Sequence, residues 1–205
     1  MVLKYVKNKQ IDKHFECVCD FIMDTTFEQL DVEQSEVDGN WYLKEECPHK
    51  TDEEKAKEER ERLDMLFMTG SDVERAIYKV KGIDFDDILA MVKNNPAIDA
   101  KALKIEFKAN NFYRGNPYIS QVGALLGFTS KQLDKFFETK DYHYLNTCKL
   151  TIKPTPEEAT VTIEPNPTPY GETAHYKVEC EGYVTQEGDA KMVEDTELGI
   201  ELEAI

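Results

Sequence analysis

Thiols and imidazoles have the widest chemical range of any side chains, and this chain holds five cysteines and four histidines. Cys17 and Cys19, together with Cys47-Pro48-His49, offer four donors of the kinds that zinc accepts. Their spacing argues against a shared ion. On a helix, positions two apart point about 200° from each other, so the first two thiols could not face one metal. Buried, inert thiols are the expectation, and no metal is assigned. His14, His143 and His175 have no evident partner for acid–base work. Asp84, Asp86 and Asp87 cluster, but at a helix start, where capping and the helix dipole already account for carboxylates. They do not fit a calcium-binding helix–loop–helix. No phosphate-cradling glycine loop, nucleophile elbow or HExxH pattern is present. The residues therefore predict a chain with no catalytic or cofactor-binding residues, and not an enzyme.

One segment has a pattern that could read nucleic acid. Residues 117–137 place Ile119, Val122, Ala124, Leu126, Gly127, Phe128, Leu133 and Phe136 at the apolar and small positions of two short helices. Ala124 would let the helices cross closely, and Gly127 would make the turn. Thr129 or Ser130 would cap the second helix. The segment resembles helix-turn-helix motifs, including those of phage small terminase subunits. The resemblance implies that Thr129, Ser130, Lys131, Gln132 and Lys135 face a DNA groove, with Arg114 and Lys140 near phosphates. Two core helices joined by a glycine turn give the same pattern, and only two residues of the reading helix are basic. Nucleic acid is therefore possible as a partner but not favoured.

Charge bears on the same choice. The net charge is −16 at pH 7. Such a surface opposes DNA wrapping and docking on an anionic membrane. The distribution is uneven: residues 28–62 carry 13 acidic and 6 basic side chains, 101–140 carry 3 and 7, and 149–205 carry 13 and 4. Faces of different sign suggest different partners. No apolar stretch is long enough to span a bilayer, and no signal peptide is visible, so membrane attachment is not expected and the thiols are expected to be reduced.

The elements that would hold these residues follow from periodicity. Ile11, Phe15, Val18 and Ile22 recur at helical spacing and predict an amphipathic helix. Thr51 and Glu54 have capping-box spacing, opening a charged helix that turns apolar at Leu63 and stops at Gly70. Ser71 with Glu74, Asp84, and Asp99 predict three further helix starts, with stops at Gly82 and at Asn94-Asn95-Pro96. Phe107, Phe112, Tyr113 and Tyr118 form an aromatic group expected in the core. After Leu145 the texture changes. Residues 149–153, 159–163, 175–179 and 197–203 alternate polar and apolar, the signature of half-buried strands. Five of the eight prolines fall between 154 and 169 and exclude helix there.

In that region Pro156, Ala159 and Val161, then Gly182-Tyr183, then Asp195-Thr196 leading to Leu198, Ile200 and Leu202 form a recurring pattern. It resembles immunoglobulin-like and PEGA-like sandwich modules, over residues 150–203. Similar modules end many virion proteins of tailed, crAss-like phages of gut Bacteroidetes and also occur in bacterial surface proteins; with no signal peptide visible, the phage comparison is favoured. The pattern departs from them at Glu164–Glu172, where a proline-rich connection stands in place of a tight Asn-Gly-like turn. Loops of this kind carry recognition, which nominates Pro165, Asn166, Pro167, Thr168, Pro169 and Tyr170 as partner contacts. The expectation is thus an α+β chain of two domains: a mainly helical assembly domain over 1–146 and an all-β immunoglobulin-like sandwich over 147–205. The implied function is a structural protein of a phage virion, in the capsid, neck or tail. It would meet other virion subunits as a homo-oligomer within a symmetric assembly and reside in the virion after passing through the host cytoplasm.

Overall fold

The computed structural model describes residues 2–7, 10, 11, 13–93, 95 and 97–205. The chain divides into two compact units, residues 1–60 and 61–205. The expected helix stop at Asn94-Asn95-Pro96 falls partly outside the described residues, at Asn94 and Pro96.

The first unit is a sheet, which overturns the expected helical start. Strands β1 (Leu3–Lys7), β2 (Gln10–Ile11), β3 (His14–Phe15), β4 (Val18–Cys19), β5 (Phe27–Gln34) and β6 (Trp41–Leu43) pair antiparallel in the order β2-β3-β6-β5-β1-β4. The helical spacing from Ile11 to Ile22 does not mark a buried stripe: Ile22 is 63% exposed. Period two decides instead. Val6 on β1 and Val32 on β5 are buried with Phe15, which lies opposite Trp41. Cross-strand pairing of aromatic and β-branched residues outweighs weak local helix preference. The β5–β6 hairpin turns where Asp38-Gly39-Asn40 signals it, with Gly39 at φ 75°. Helix α1 (Asp52–Asp64) starts at the expected capping box, in which Thr51 N–H donates to Glu54 Oε2 at 2.8 Å and Glu54 N–H to Thr51 Oγ1 at 3.2 Å.

In the second unit, α1 does not run on to Gly70. It ends at Asp64, and β7 (Phe67–Thr69) pairs with β8 (Asn111–Tyr113). Gly70 opens α2 (Gly70–Lys81), whose N-cap is Thr69 rather than Ser71. A side chain at Gly70 would meet the Ala109 carbonyl oxygen at 3.2 Å and the Phe112 ring at 3.3 Å, so the small residue serves a close approach. Gly82 ends α2 in the left-handed conformation, φ 70°. Asp84 forms a capping box with Asp87 on α3 (Phe85–Val92), and Asp99 caps α4 (Ala100–Glu106). Helices α5 (Pro117–Leu125) and α6 (Ser130–Thr139) complete the set. Their shared core includes Ile88, Leu103, Phe112, Phe136 and Phe137, each nearly inaccessible. The aromatic group divides: Phe107 stacks on Phe85 at 4.1 Å, while Tyr113 is exposed beside Phe67 on the short ladder.

The strands expected after Leu145 are present, but they do not form an immunoglobulin-like sandwich. Strand β10 (Leu150–Thr155) pairs in parallel with β15 (Thr196–Glu201) as a two-stranded sheet. Strands β11 (Thr160–Glu164), β13 (Thr173–Glu179) and β14 (Gln186–Lys191) form a three-stranded antiparallel sheet, and β9 (Thr147–Cys148) pairs with β12 (Thr168–Pro169). Prolines supply the physical reason. They lack the N–H that a second ladder needs, and they stand at 154, 156, 165, 167 and 169. The sheets therefore stay small. Cys148, Leu150, Ile152, Ala174, Val178, Met192 and Leu202 share one buried cluster. The expected two-domain plan, helical first and sandwich last, is replaced by a sheet, then helices, then several small sheets.

Candidate functional site

Helices α5 and α6 hold most of the residues singled out for DNA. Asn116 caps α5, accepting from Tyr118 N–H at 3.0 Å, and Pro117 fills its first turn. Gly127 takes φ 79° to make the turn. Thr129 then forms a capping box with Gln132. The close crossing lies at Gly123, not Ala124. A Cβ on Gly123 would sit 2.5 Å from Leu133 Cδ1, whereas Ala124 is exposed.

The polar residues of this pair are already engaged. Arg114, expected near phosphates, is 3% exposed. Its guanidinium donates to Ser120 Oγ at 3.0 Å and Ser130 Oγ at 2.7 Å, and its Nε lies 2.7 Å from Asp134 Oδ1. Burial without such partners would be prohibitive for a charge. Ser130 is thereby an internal acceptor. Gln132 is buried and donates to the Asn146 carbonyl at 3.1 Å. Lys131 is exposed and pairs with Glu172 at 2.7 Å, and Lys135 pairs with Glu138 at 2.7 Å. The Glu138 carboxylate raises the pKa of Lys135, while Lys135 and then Arg62 lower that of Glu138. Lys140, at the left-handed end of α6, is exposed.

The proline-rich connection divides in the same way. Asn166 accepts from Leu150 N–H at 3.1 Å and donates to the Leu150 carbonyl at 3.0 Å, tying the loop to β10. Thr168 is fully buried, and its hydroxyl donates to the Pro165 carbonyl at 2.5 Å. Pro169 lies on β12 opposite Thr147. Pro165 and Pro167 are exposed, and Tyr170 is half-buried.

Folding brings these two sequence-distant sets together. Lys131, Gln132 and Lys135 of α6 face Pro169, Tyr170 and Glu172 across an open groove of about 460 Å³. Its aromatic wall includes Tyr144, which meets Tyr170 edge-on at 5.4 Å. Beside Tyr170, His143 stacks on Tyr142 at 4.2 Å, and its Nδ1 lies 2.6 Å from Asp141 Oδ1. The His143 backbone N–H, and then its ring, lower the pKa of Asp141. Sequence reasoning missed Tyr144, His143 and Glu172 as neighbours of this site. The one local signal was the dense aromatic run of residues 142–144, which lies on a 3-10 turn (Tyr142–Leu145) capped by Asp141.

None of the remaining candidates is among the residues that line this groove. His175 contacts Asp189 across β13 and β14, on an exposed face. The two histidines thus have carboxylate partners that the sequence did not reveal. Burial raises the Cys19 pKa, with a further contribution from neighbouring Cys17. Burial likewise raises Cys47 and Cys148. Raised thiols are poor nucleophiles at neutral pH. Among the described residues, no group of three or more His, Cys, Asp or Glu side chains converges to hold a metal ion. Also among these residues, no helix is long and apolar enough to cross a membrane.

No protein-family model, curated protein or solved structure matches this chain.

Proposed function

We propose that this chain is a non-enzymatic assembly protein that works through protein–protein contacts. The observation that supports this best is the charge state of the groove between α6 and β12. Its cations are matched by nearby carboxylates: Lys131 by Glu172, and Lys135 by Glu138. A phosphate backbone gains affinity by neutralisation with unpaired cations. Here it would have to displace two carboxylates first. A groove with Tyr144 and Tyr170 on its wall, and with both lysines held by carboxylates, suits an extended polypeptide better, because tyrosine supplies large contact area with a polar tip. The buried Arg114 and Gln132 further disfavour groove reading of DNA by α6.

The setting we propose is the virion of a tailed phage; it is supported by the sequence pattern of residues 150–203 alone, since those residues fold as small sheets and not as the sandwich that the resemblance implied. The partners would be other virion subunits and further copies of the chain. Cross-linking of purified particles through lysine tests the reading. Links from Lys131 or Lys135 to another subunit are expected. Intact duplex DNA should not shift with the isolated protein even at low salt. A salt-sensitive shift abolished by Lys131→Ala with Lys135→Ala would overturn it in favour of DNA binding.

A further inference from the structure

Among the described residues, Phe21, Ile22 and Met23 are the one run of three large apolar side chains that are all mostly exposed, at 65%, 63% and 58%. They lie on the connection between β4 and β5. Acidic residues flank them. Asp20 forms an ion pair with Lys4, and Asp24 accepts from Thr26 N–H at 2.7 Å. The Thr26 hydroxyl and N–H lower the Asp24 pKa, so this carboxylate stays ionised. With Asp20 paired to Lys4, the run is an apolar tip whose acidic flank is Asp24. A tip of this kind is unfavourable in water and matches an apolar pocket with a positive rim.

The 61–205 unit carries a pocket of that description. Phe67 and Tyr142 line an open depression of about 390 Å³ whose floor lies over the buried Met68, Ala76 and Phe136. Arg75, Lys79 and Lys140 stand around it; Arg75 lies 3.4 Å from the lining carboxylate of Asp72, so the net positive charge of the rim rests on Lys79 and Lys140. Lys79 lies over the Tyr142 ring at 4.4 Å, which holds one rim cation in place. Charge and polarity are thus complementary to the tip.

We infer that the Phe21–Met23 tip of one copy inserts into the Phe67/Tyr142 pocket of a second copy, with Asp24 facing the Lys79 and Lys140 rim. This rests on the assembly reading above and names one partner for it, a second copy of this chain. The two surfaces differ, so the contact is heterologous. Each copy offers one tip and one pocket, and repetition gives a ring if the rotation closes or a filament if it does not.

Sedimentation velocity on the full chain tests this over a range of concentrations. The wild type should form species larger than a dimer, weakening as salt rises because the rim attraction is screened. Phe21→Ser with Ile22→Ser removes the tip; both side chains are mostly exposed, so the fold should persist by circular dichroism. Lys79→Glu with Lys140→Glu reverses the rim. Each variant should associate roughly 30-fold more weakly, the loss expected when central anchors of an interface are removed. Mixed together, the two variants should recover dimers and nothing larger, since one brings an intact tip and the other an intact pocket. A monomeric wild type, variants that keep the wild-type distribution, or a mixture that stays monomeric would each overturn the inference. None of these results would touch the assembly reading, which depends on contacts within particles.

Discussion

Replacing Arg114 by alanine separates the two roles open to that residue. A phosphate-facing arginine on the surface could be removed with a stability change within about 0.5 kcal/mol. The structure instead buries it to 3% exposure and gives its guanidinium Ser120, Ser130 and Asp134 as partners. Truncation removes the Arg114 guanidinium from Asp134 Oδ1 and from the Ser120 and Ser130 hydroxyls. Breaking a buried pair costs about 3–5 kcal/mol. The Asp134 side chain is 22% exposed and keeps some hydration, so the lower end applies, about 3 kcal/mol. For a unit of this size that corresponds to roughly 6–12 °C in melting temperature. Arg114→Lys keeps the charge but loses the fork that reaches several acceptors, and should fall between the two. Scanning calorimetry of the full chain reads the effect, with Lys131→Ala as the control for an exposed ion pair worth less than about 1 kcal/mol. If Arg114→Ala melts within about 2 °C of the wild type, the buried bridge between α5 and α6 is not as described.

Three further outcomes follow from the same structure. Asp38 accepts from the Tyr42 hydroxyl at 2.6 Å and from Asn40 N–H at 3.0 Å, which lowers its pKa to about 2. Its folded pKa lies below the unfolded value, so its contribution is complete above about pH 4 and disappears as the pH falls toward 2. Asp38→Asn should flatten acid unfolding of the first unit in that window, read by fluorescence of Trp41, and an unchanged acid profile would contradict it. Gly127→Ala places a side chain at φ 79° and should destabilise the α5–α6 turn by about 1–2 kcal/mol, seen as a lower urea midpoint. Gly188 lies opposite Tyr176, whose hydroxyl oxygen a Cβ there would meet at 2.5 Å. Gly188→Val should therefore displace the Tyr176 ring and shift its NMR signals, whereas Gly199→Val on β15, with open space around it, should not.

The legible parts of the sequence were the local ones. Capping at Thr51, Asp84 and Asp99, the helix stop at Gly82 and the turn at Gly127 depend on residues within a few positions and formed as read; of Thr129 and Ser130, the first caps α6. Period-two alternation after Leu145 marked real strands. What escaped was pairing between distant segments. Strand β10 finds β15 some forty-six residues away, Leu150 opposite Thr196, and nothing in either strand names the other. The first unit was misread because its strands are as short as two residues, too short for alternation to outvote a chance helical spacing. At the groove, Lys131 and Lys135 were visible as cations, but Glu172 was not visible as their neighbour because it arrives on the far side of the β12 turn. Arg114 could have been suspected: Ser130 and Asp134 sit four apart on one face of α6, as acceptors for a single guanidinium would.

Assembly by protein contact is tested most directly by the composition of purified particles. On the proposed phage setting, quantitative mass spectrometry of purified particles should find the chain at a copy number that fits a symmetric ring or shell. Its absence from particles, or a trace amount unrelated to any symmetry, would contradict the account.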